Sequence, residues 1–330
     1  MLPALVLLTG LAITAASWIS VRQVLHREDK VRFERLKERI IDTADDRFRA
    51  PHQALHGARA LVQATGTISS GRWASYVASV APFLDHHVVG IGYAQRVPRS
   101  EIDAFDARIR ESRPAFRAER NGENDELFVV THIEPMTRNA AALGRDIGSG
   151  TTRRAAALEA MRTGAPIISR RINVIDGEGT VPGCLLFLPV YRNGAAVSTE
   201  SERSQALVGW VYAALRIDAL LEAVGRATDG LLDFEVYDGD KAYASTQLFD
   251  SDGSQRLDDA AWFSGRVHAA AFFDSFARPV FGRDWLFRVR TGPAFDQQSN
   301  AARAWLVFAA GTVLSLLGAG FTRTLVECKR

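Results

Sequence analysis

LPALVLLTGLAITAASWISV, residues Leu2–Val21, runs for twenty positions without a formally charged side chain, and AWLVFAAGTVLSLLGAGFT, Ala304–Thr322, repeats the pattern near the other end. At about 1.5 Å rise per residue, each run is long enough to cross a hydrocarbon layer of roughly 30 Å. Neither has the polar face that a helix half-buried in a globular core would keep. Trp18 and Trp305 stand near the loop-side ends of the two runs, where indole rings favour the membrane interface. The second run contains Gly and Ala residues that let another helix approach closely. The expectation is two transmembrane helices, 1–21 and 304–322, bracketing the rest of the chain, with a tail at 323–330.

The first run also has the small residues Ala15, Ala16 and Ser17 of a cleavable leader, but no Lys or Arg precedes it, so an uncleaved anchor fits better. Charge does not by itself set the orientation. Arg323, Lys329 and Arg330 follow the second run, as an inward-facing end requires, yet Arg22, Arg27, Lys30 and Arg32 follow the first. A segment as long as 22–303 translocates largely regardless of such charges. The expected location is the cell (inner) membrane, crossed twice, with 22–303 on the periplasmic side.

Across 330 residues the formal net charge is only +2, without the basic face that nucleic acid requires, so no nucleic-acid partner is expected. The two cysteines, Cys184 in an apolar run and Cys328 beyond the second span, would lie on opposite sides of a bilayer. An intrachain disulfide is therefore not expected, and Cys184 reads as a buried structural thiol.

Between the spans, Phe33, Leu36, Ile40, Ala44, Phe48, Leu55, Ala58 and Val62 recur at helical spacing. They predict a long amphipathic helix within 22–69, kinked at Pro51. Their spacing is nearer 3.6 than 3.5, which favours packing on a domain over a strict coiled coil. A short helix follows at Trp73–Phe83, then strands at Val88–Val97 and Phe128–Ile133. Ser100 is a candidate cap for a helix at Glu101, and Ser149 for one at Thr152–Thr163 that Gly164 would stop. PIISRRINVI, CLLFLPVY and ALVGWVYAALRI read as three more strands, with Arg192–Gln205 as a long hairpin loop and Ile217–Val224 as a short helix. A weaker alternation at Leu232–Tyr237 and Trp285–Arg290, with Phe272 and Phe273, predicts a second small sheet, and Thr291–Arg303 leads into the second span. The pattern is α+β.

The ordered blocks GIGYAQRVPRSEIDAF, FVVTHIEP, ALGRDIGS, RRAAALEAMRTGAPIIS, LLFLPVY and VGWVYAALRIDALLEA, between Val89 and Leu220, resemble the CHASE family of extracellular sensory domains. The resemblance implies a long membrane-proximal helix followed by two tandem PAS-like lobes, flanked here by the two transmembrane helices. It divides the interior into the helix at 22–69, a membrane-distal ligand-binding lobe at 70–229 and a proximal lobe with linker at 230–303. It also implies a homodimer, which the long apolar stripe of the helix between Phe33 and Val62 is expected to pair. In the plant cytokinin receptors of the family, an Asp before the central helix hydrogen-bonds an adenine-type ligand, and Asp146 in GRDIGS resembles it. Thr163 and Gly164 match the turn that ends the helix, and Ile167–Ser169 resembles a pocket wall. The chain departs from those receptors at Arg170 and Arg171, where they carry a small residue and a proline.

The residues themselves allow the same site and blander alternatives. An ionised Asp146 accepts hydrogen bonds only, so it would select an amine or other N–H-bearing ligand; it could equally hold a turn or pair with Arg145. Under strand alternation Arg170 shares a face with Ile168, Ile172 and Val174, and could meet an anionic ligand or snorkel to water. Tyr93 could lend a hydroxyl to the pocket or simply fill the core. Ile168 and Ser169 would line the wall. His86 and His87 are adjacent rather than spaced as metal ligands, and Thr131, His132 and Glu134 suit a sheet rim. No catalytic motif or cofactor loop is present, and no kinase or cyclase fits in the tail, so a non-enzymatic, cofactor-free receptor for a small molecule is expected. The alternative is an output-less interaction protein that dimerises with full-length sensors.

Overall fold

The computed structural model describes residues 2–177, 179–253, 270–299 and 301–328, with the side chains of 301–303 excepted. Lys329, Arg330 and part of the expected proximal segment, 254–269, lie outside the described residues.

Helix α1, Leu2–Thr65, runs unbroken for 64 residues from the first apolar stretch to the end of the amphipathic one. Pro51, expected as a kink, lies inside it. The helix continues through Pro51, which is buried with the residues of the apolar stripe. Phe33, Leu36, Ile40, Ala44, Phe48, Leu55, Ala58 and Val62 are all buried, so the expected stripe is the face that packs.

The stripe covers two antiparallel sheets. After α2 (Ser70–Val80), the first sheet takes β1 (Val88–Pro98), β2 (Glu126–Glu134), β3 (Ile167–Ile168), β4 (Ile172–Asp176), β5 (Gly179–Tyr191) and β6 (Leu207–Arg216), with α3 (Ile102–Arg110) and α4 (Met136–Asn139) in its connections. Its order is β2-β1-β6-β5-β3, with β4 also on β5. The second sheet has order β8-β7-β10-β9, from β7 (Leu232–Asp238), β8 (Gln247–Asp250), β9 (Phe273–Val280) and β10 (Arg283–Thr291). One apolar core joins the stripe to Ile91, Leu186 and Val211 of the first sheet and to Phe234, Trp285 and Phe287 of the second. Burying a large apolar side chain stabilises by about 1.5–3 kcal/mol, so the stripe is a principal fastening between the sheets.

The opposite face of the first sheet carries a separate core, closed by α5 (Thr151–Thr163) through Ala156, Ala157 and Ala160. Gly164, at φ +76, ends that helix in the left-handed conformation expected of it. The sheets also touch directly. The Ile168 amide donates to the Phe281 carbonyl at 3.0 Å, and Gly282 leaves room for Ile167 at the tip of the β9–β10 hairpin.

Arg192–Gln205 is not all loop. Glu200–Ala206 forms a helix, started by a reciprocal capping box in which the Thr199 hydroxyl accepts from the Glu202 amide and the Glu202 carboxylate from the Thr199 amide. The start of the helix Ile102–Arg110 also differs from expectation: a 3₁₀ turn, Arg99–Glu101, precedes it, and no side chain caps it. Ser149 donates to the Asp146 carbonyl, and Gly150 takes the N-cap position of α5.

The C-terminal helix, Ala301–Cys328, packs against the first part of α1, and both are long and apolar enough to cross a membrane. Small residues bring them close. A Cβ added at Gly311 would fall 2.5 Å from the Thr14 hydroxyl, and one at Gly10 would fall 2.5 Å from that of Ser315. Trp18 and Trp305 meet at the same end of both helices, 5.4 Å between ring centroids. Cys184 is buried and free, and its surroundings push its thiol pKa up.

Candidate ligand-binding site

The segment before α5 is tied to the sheet by its own backbone. Gly144 donates to the Val130 carbonyl at 2.8 Å, and the Val130 amide donates to the Arg145 carbonyl at 2.9 Å. Gly144 has φ +81, and a Cβ there would collide with the Arg117 carbonyl, so only glycine fits this crossing. The turn delivers Asp146 to the edge of β2. One carboxylate oxygen, Oδ1, accepts from the Phe128 and Gly148 amides, each at 2.8 Å. The residue is 2% exposed, and its second oxygen, Oδ2, has no hydrogen-bond partner among the described residues.

Asp146 borders a cavity of about 350 Å³ on the α5 side of the first sheet. Ile133, Leu185, Tyr212 and Ala214 form its floor, and β4 forms a wall through Ile172, Asn173, Val174 and Ile175. Glu119, Asn121, Arg145 and Arg153 stand around the rim. Arg153, from the first turns of α5, donates to the Asn173 carbonyl at 3.0 Å, which bridges helix and wall. Burial, with the nearby Arg145 cation, lowers the pKa of its guanidinium. Such a cation gains from an anionic partner. The cavity therefore combines a deep carboxylate acceptor with two cations, a wet rim and an apolar floor. That composition is typical of small-molecule pockets. Among the described residues no group of His, Cys, Asp or Glu is arranged to hold a metal ion.

Of the residues expected to bind the ligand, only Asp146 borders this cavity. Ile168 and Ser169 were expected as its wall and lie elsewhere. PIISRRINVI is two strands, because the Ser169 hydroxyl takes the Leu185 amide at 3.0 Å and breaks the run. Ile168 pairs with Leu186, whereas Ile172 pairs with Gly183. Four residues on one strand thus oppose three on β5, and the odd residue exchanges the faces. Ile168 turns into the α1 core, whereas Val174 joins the α5 core. Arg170, at the break, is exposed and lies outside both strands, so the alternation expected to align it with Ile172 and Val174 does not reach it. Thr163 is exposed and donates to the Glu159 carbonyl, and Gly164 serves as the helix cap. Tyr93 points to the other side of the sheet, beside Trp73 and His132, and burial pushes its hydroxyl up to about 12.

Sequence reasoning missed Arg153 and Tyr212. Tyr212 had a signal: alternation in VGWVYAALR puts Trp210, Tyr212 and Ala214 on one face, with a hydroxyl among apolar neighbours. Arg153 had none beyond its place at the start of the helix that Asp146 precedes.

The CHASE domain family model matches residues 66–249. None of the curated proteins matches the chain. Among solved structures, the chain is similar to the periplasmic sensory domain of the Campylobacter jejuni chemoreceptor Tlp1, at 8% identity and TM-score 0.47, covering 84% of this chain and 96% of that one. It is also similar to Methyl-accepting Chemotaxis protein X, at 12% identity and TM-score 0.45, covering 80% of this chain and 99% of that one. A third is the ligand-binding domain of the Pseudomonas aeruginosa PAO1 amino acid chemoreceptor PctC in complex with GABA, at 12% identity and TM-score 0.40, covering 76% and 96%.

Proposed function

This chain belongs to the CHASE domain family, and on that premise we propose that it is a membrane-anchored extracytoplasmic sensor, binding a small molecule beside Asp146 and passing the event inward through its second span. The family is one of sensing rather than catalysis. The two sheets serve as tandem PAS-like lobes, distal over 70–229 and proximal over 230–303, and the apolar helices at either end anchor them. Two copies pair as a homodimer, but not through the apolar stripe of α1, which the chain's own sheets occupy.

One observation carries the binding reading: Asp146, at the edge of a cavity, holds a buried carboxylate oxygen with no hydrogen-bond partner among the described residues. A buried acceptor left unsatisfied costs about 1–3 kcal/mol, which a ligand N–H would recover. Arg145 and Arg153 stand on the same rim, so the preferred ligand carries an N–H donor at one end and an anionic group at the other. The anion contact moves from Arg170, where the sequence suggested it, to Arg153.

A thermal-shift screen of the full chain in detergent against amines, purines, amino acids and organic acids tests this. At a hundred times its Kd, a true ligand stabilises by about 2.7 kcal/mol. The shift should shrink in Asp146→Asn and in Arg153→Gln. A ligand whose shift survives both substitutions binds elsewhere and removes this cavity from the function.

A further inference from the structure

A second cavity, of about 300 Å³, lies directly above the two spans, between α1 and the segment entering the C-terminal helix. Arg22, His26 and Asp29 of α1 line one side, Phe272 stands behind, and Asp296 and Ser299 line the other. Its height is set by the Trp18–Trp305 pair, because paired indoles at the ends of apolar helices sit at headgroup level. The Arg22 guanidinium lies over the Trp18 ring, 5.4 Å from its centroid. Among the described residues no carboxylate pairs with it. Farther from the membrane, Asp29 accepts the Ser299 hydroxyl at 2.6 Å, and Asp296 lines the same opening. His26 stacks on Phe272 at 5.0 Å and gives the cavity an aromatic side.

Of the charges that line the cavity from α1, Arg22 is therefore next to the bilayer and Asp29 about 10 Å above it at 1.5 Å per residue. We propose that this cavity binds the headgroup of an ethanolamine phospholipid, with Arg22 on the phosphate and Asp29 and Asp296 on the ammonium. A phospholipid lies in that order, phosphate nearer the hydrocarbon and ammonium outward, and the separation suits one extended headgroup hydrogen-bonded at both ends. The guanidinium fork matches phosphate oxygens, and a primary ammonium offers N–H donors that a carboxylate accepts. A choline headgroup has no such donors, and a glycerol headgroup has no cation for the carboxylates to meet.

The proposal rests on the chain being anchored by its two apolar helices. The test incorporates the full chain into nanodiscs of phosphatidylcholine mixed with either phosphatidylethanolamine or phosphatidylglycerol, and reads retained lipid by native mass spectrometry. Phosphatidylethanolamine should be retained about three- to ten-fold over either other lipid, the range that one or two charge-assisted contacts at a wet site provide. Asp29→Asn, which keeps the acceptor for Ser299, should erase the preference over phosphatidylcholine. Arg22→Gln should weaken retention of every phospholipid. Equal retention of the three lipids, a preference for phosphatidylglycerol, or an ethanolamine preference unchanged in both variants overturns the site. A chain that remains in solution without detergent or bilayer overturns the anchoring as well, which separates the two failures.

Discussion

Replacing Asp146 separates its two carboxylate oxygens. In Asp146→Ala the Phe128 and Gly148 amides, each now 2.8 Å from Oδ1, lose their acceptor. A hydrogen bond to a charged group is worth about 1.5–3 kcal/mol, and water entering the adjoining cavity recovers part of both losses. The net cost is about 2–4 kcal/mol, or roughly 4–16 °C in Tm at 2–4 °C per kcal/mol for a domain of this size. Asp146→Asn behaves differently. Its carbonyl oxygen keeps both amides, so stability should change by less than about 1 kcal/mol, while the group at the cavity turns from acceptor to donor. Differential scanning calorimetry of the ligand-free chain in detergent measures the first effect, and titration calorimetry with the screened ligand measures the second. Affinity in Asp146→Asn should fall roughly 10- to 150-fold, corresponding to about 1.5–3 kcal/mol. Equal destabilisation by Asn and Ala would refute the assignment of separate tasks to the two oxygens, and so would undiminished ligand affinity in the Asn variant.

Burial first, then the Arg113 cation, lowers the His132 imidazole to about 4. Because the folded-state value lies below the unfolded one, this contribution is intact above about pH 6.5 and is lost as the pH falls toward 4. It amounts to at most about 3 kcal/mol; His132→Gln should flatten the Tm profile across that window, and an unchanged slope removes His132 as its source. Ile40→Ala should cost about 2–5 kcal/mol of stability through the cavity it leaves, without altering the association state seen by sedimentation. Loss of the dimer alone, at unchanged stability, would mean that the stripe faces a second copy. Gly144→Ala should destabilise by about 1–3 kcal/mol through its positive φ and its contact with Arg117, with far-UV circular dichroism and melting as the readout. A cysteine placed at Ser201 should react with a membrane-impermeant maleimide added from the periplasmic side; labelling only from the cytoplasmic side reverses the proposed orientation.

The architecture was largely legible because it depends on periodicity. The Phe33–Val62 spacing gave the buried face of α1 residue by residue, and the alternation in β6 and β7 marked strands that form. Gly164 stopped its helix because left-handed backbone is cheap for glycine. The Thr199–Glu202 capping box was also written in the sequence, hidden inside a segment whose polarity suggested loop. The candidate site was much less legible. A single side-chain bond from Ser169 shifts the register on β5, and alternation cannot foresee which residue in a run will contribute the odd position. That shift sends Ile168 to one core and Val174 to the other, exchanging the expected wall for β4. Arg153 enters the cavity only because α5 and β4 are brought together in three dimensions, a relation no local pattern encodes.

Helix α1 begins with the first apolar run and goes on to back both sheets, whereas the second apolar run follows β10 in the chain and meets α1 beside the first run. On the proposed function, the two runs would act as a gauge with one fixed scale and one sliding pointer: a movement of the second sheet along α1 would be read as an offset between Gly10 and Ser315 and between Thr14 and Gly311. Those contacts have no slack, since even a methyl group would not fit at either glycine. An offset there would settle where small residues again face one another, so a continuous push from outside would arrive as a choice between discrete registers.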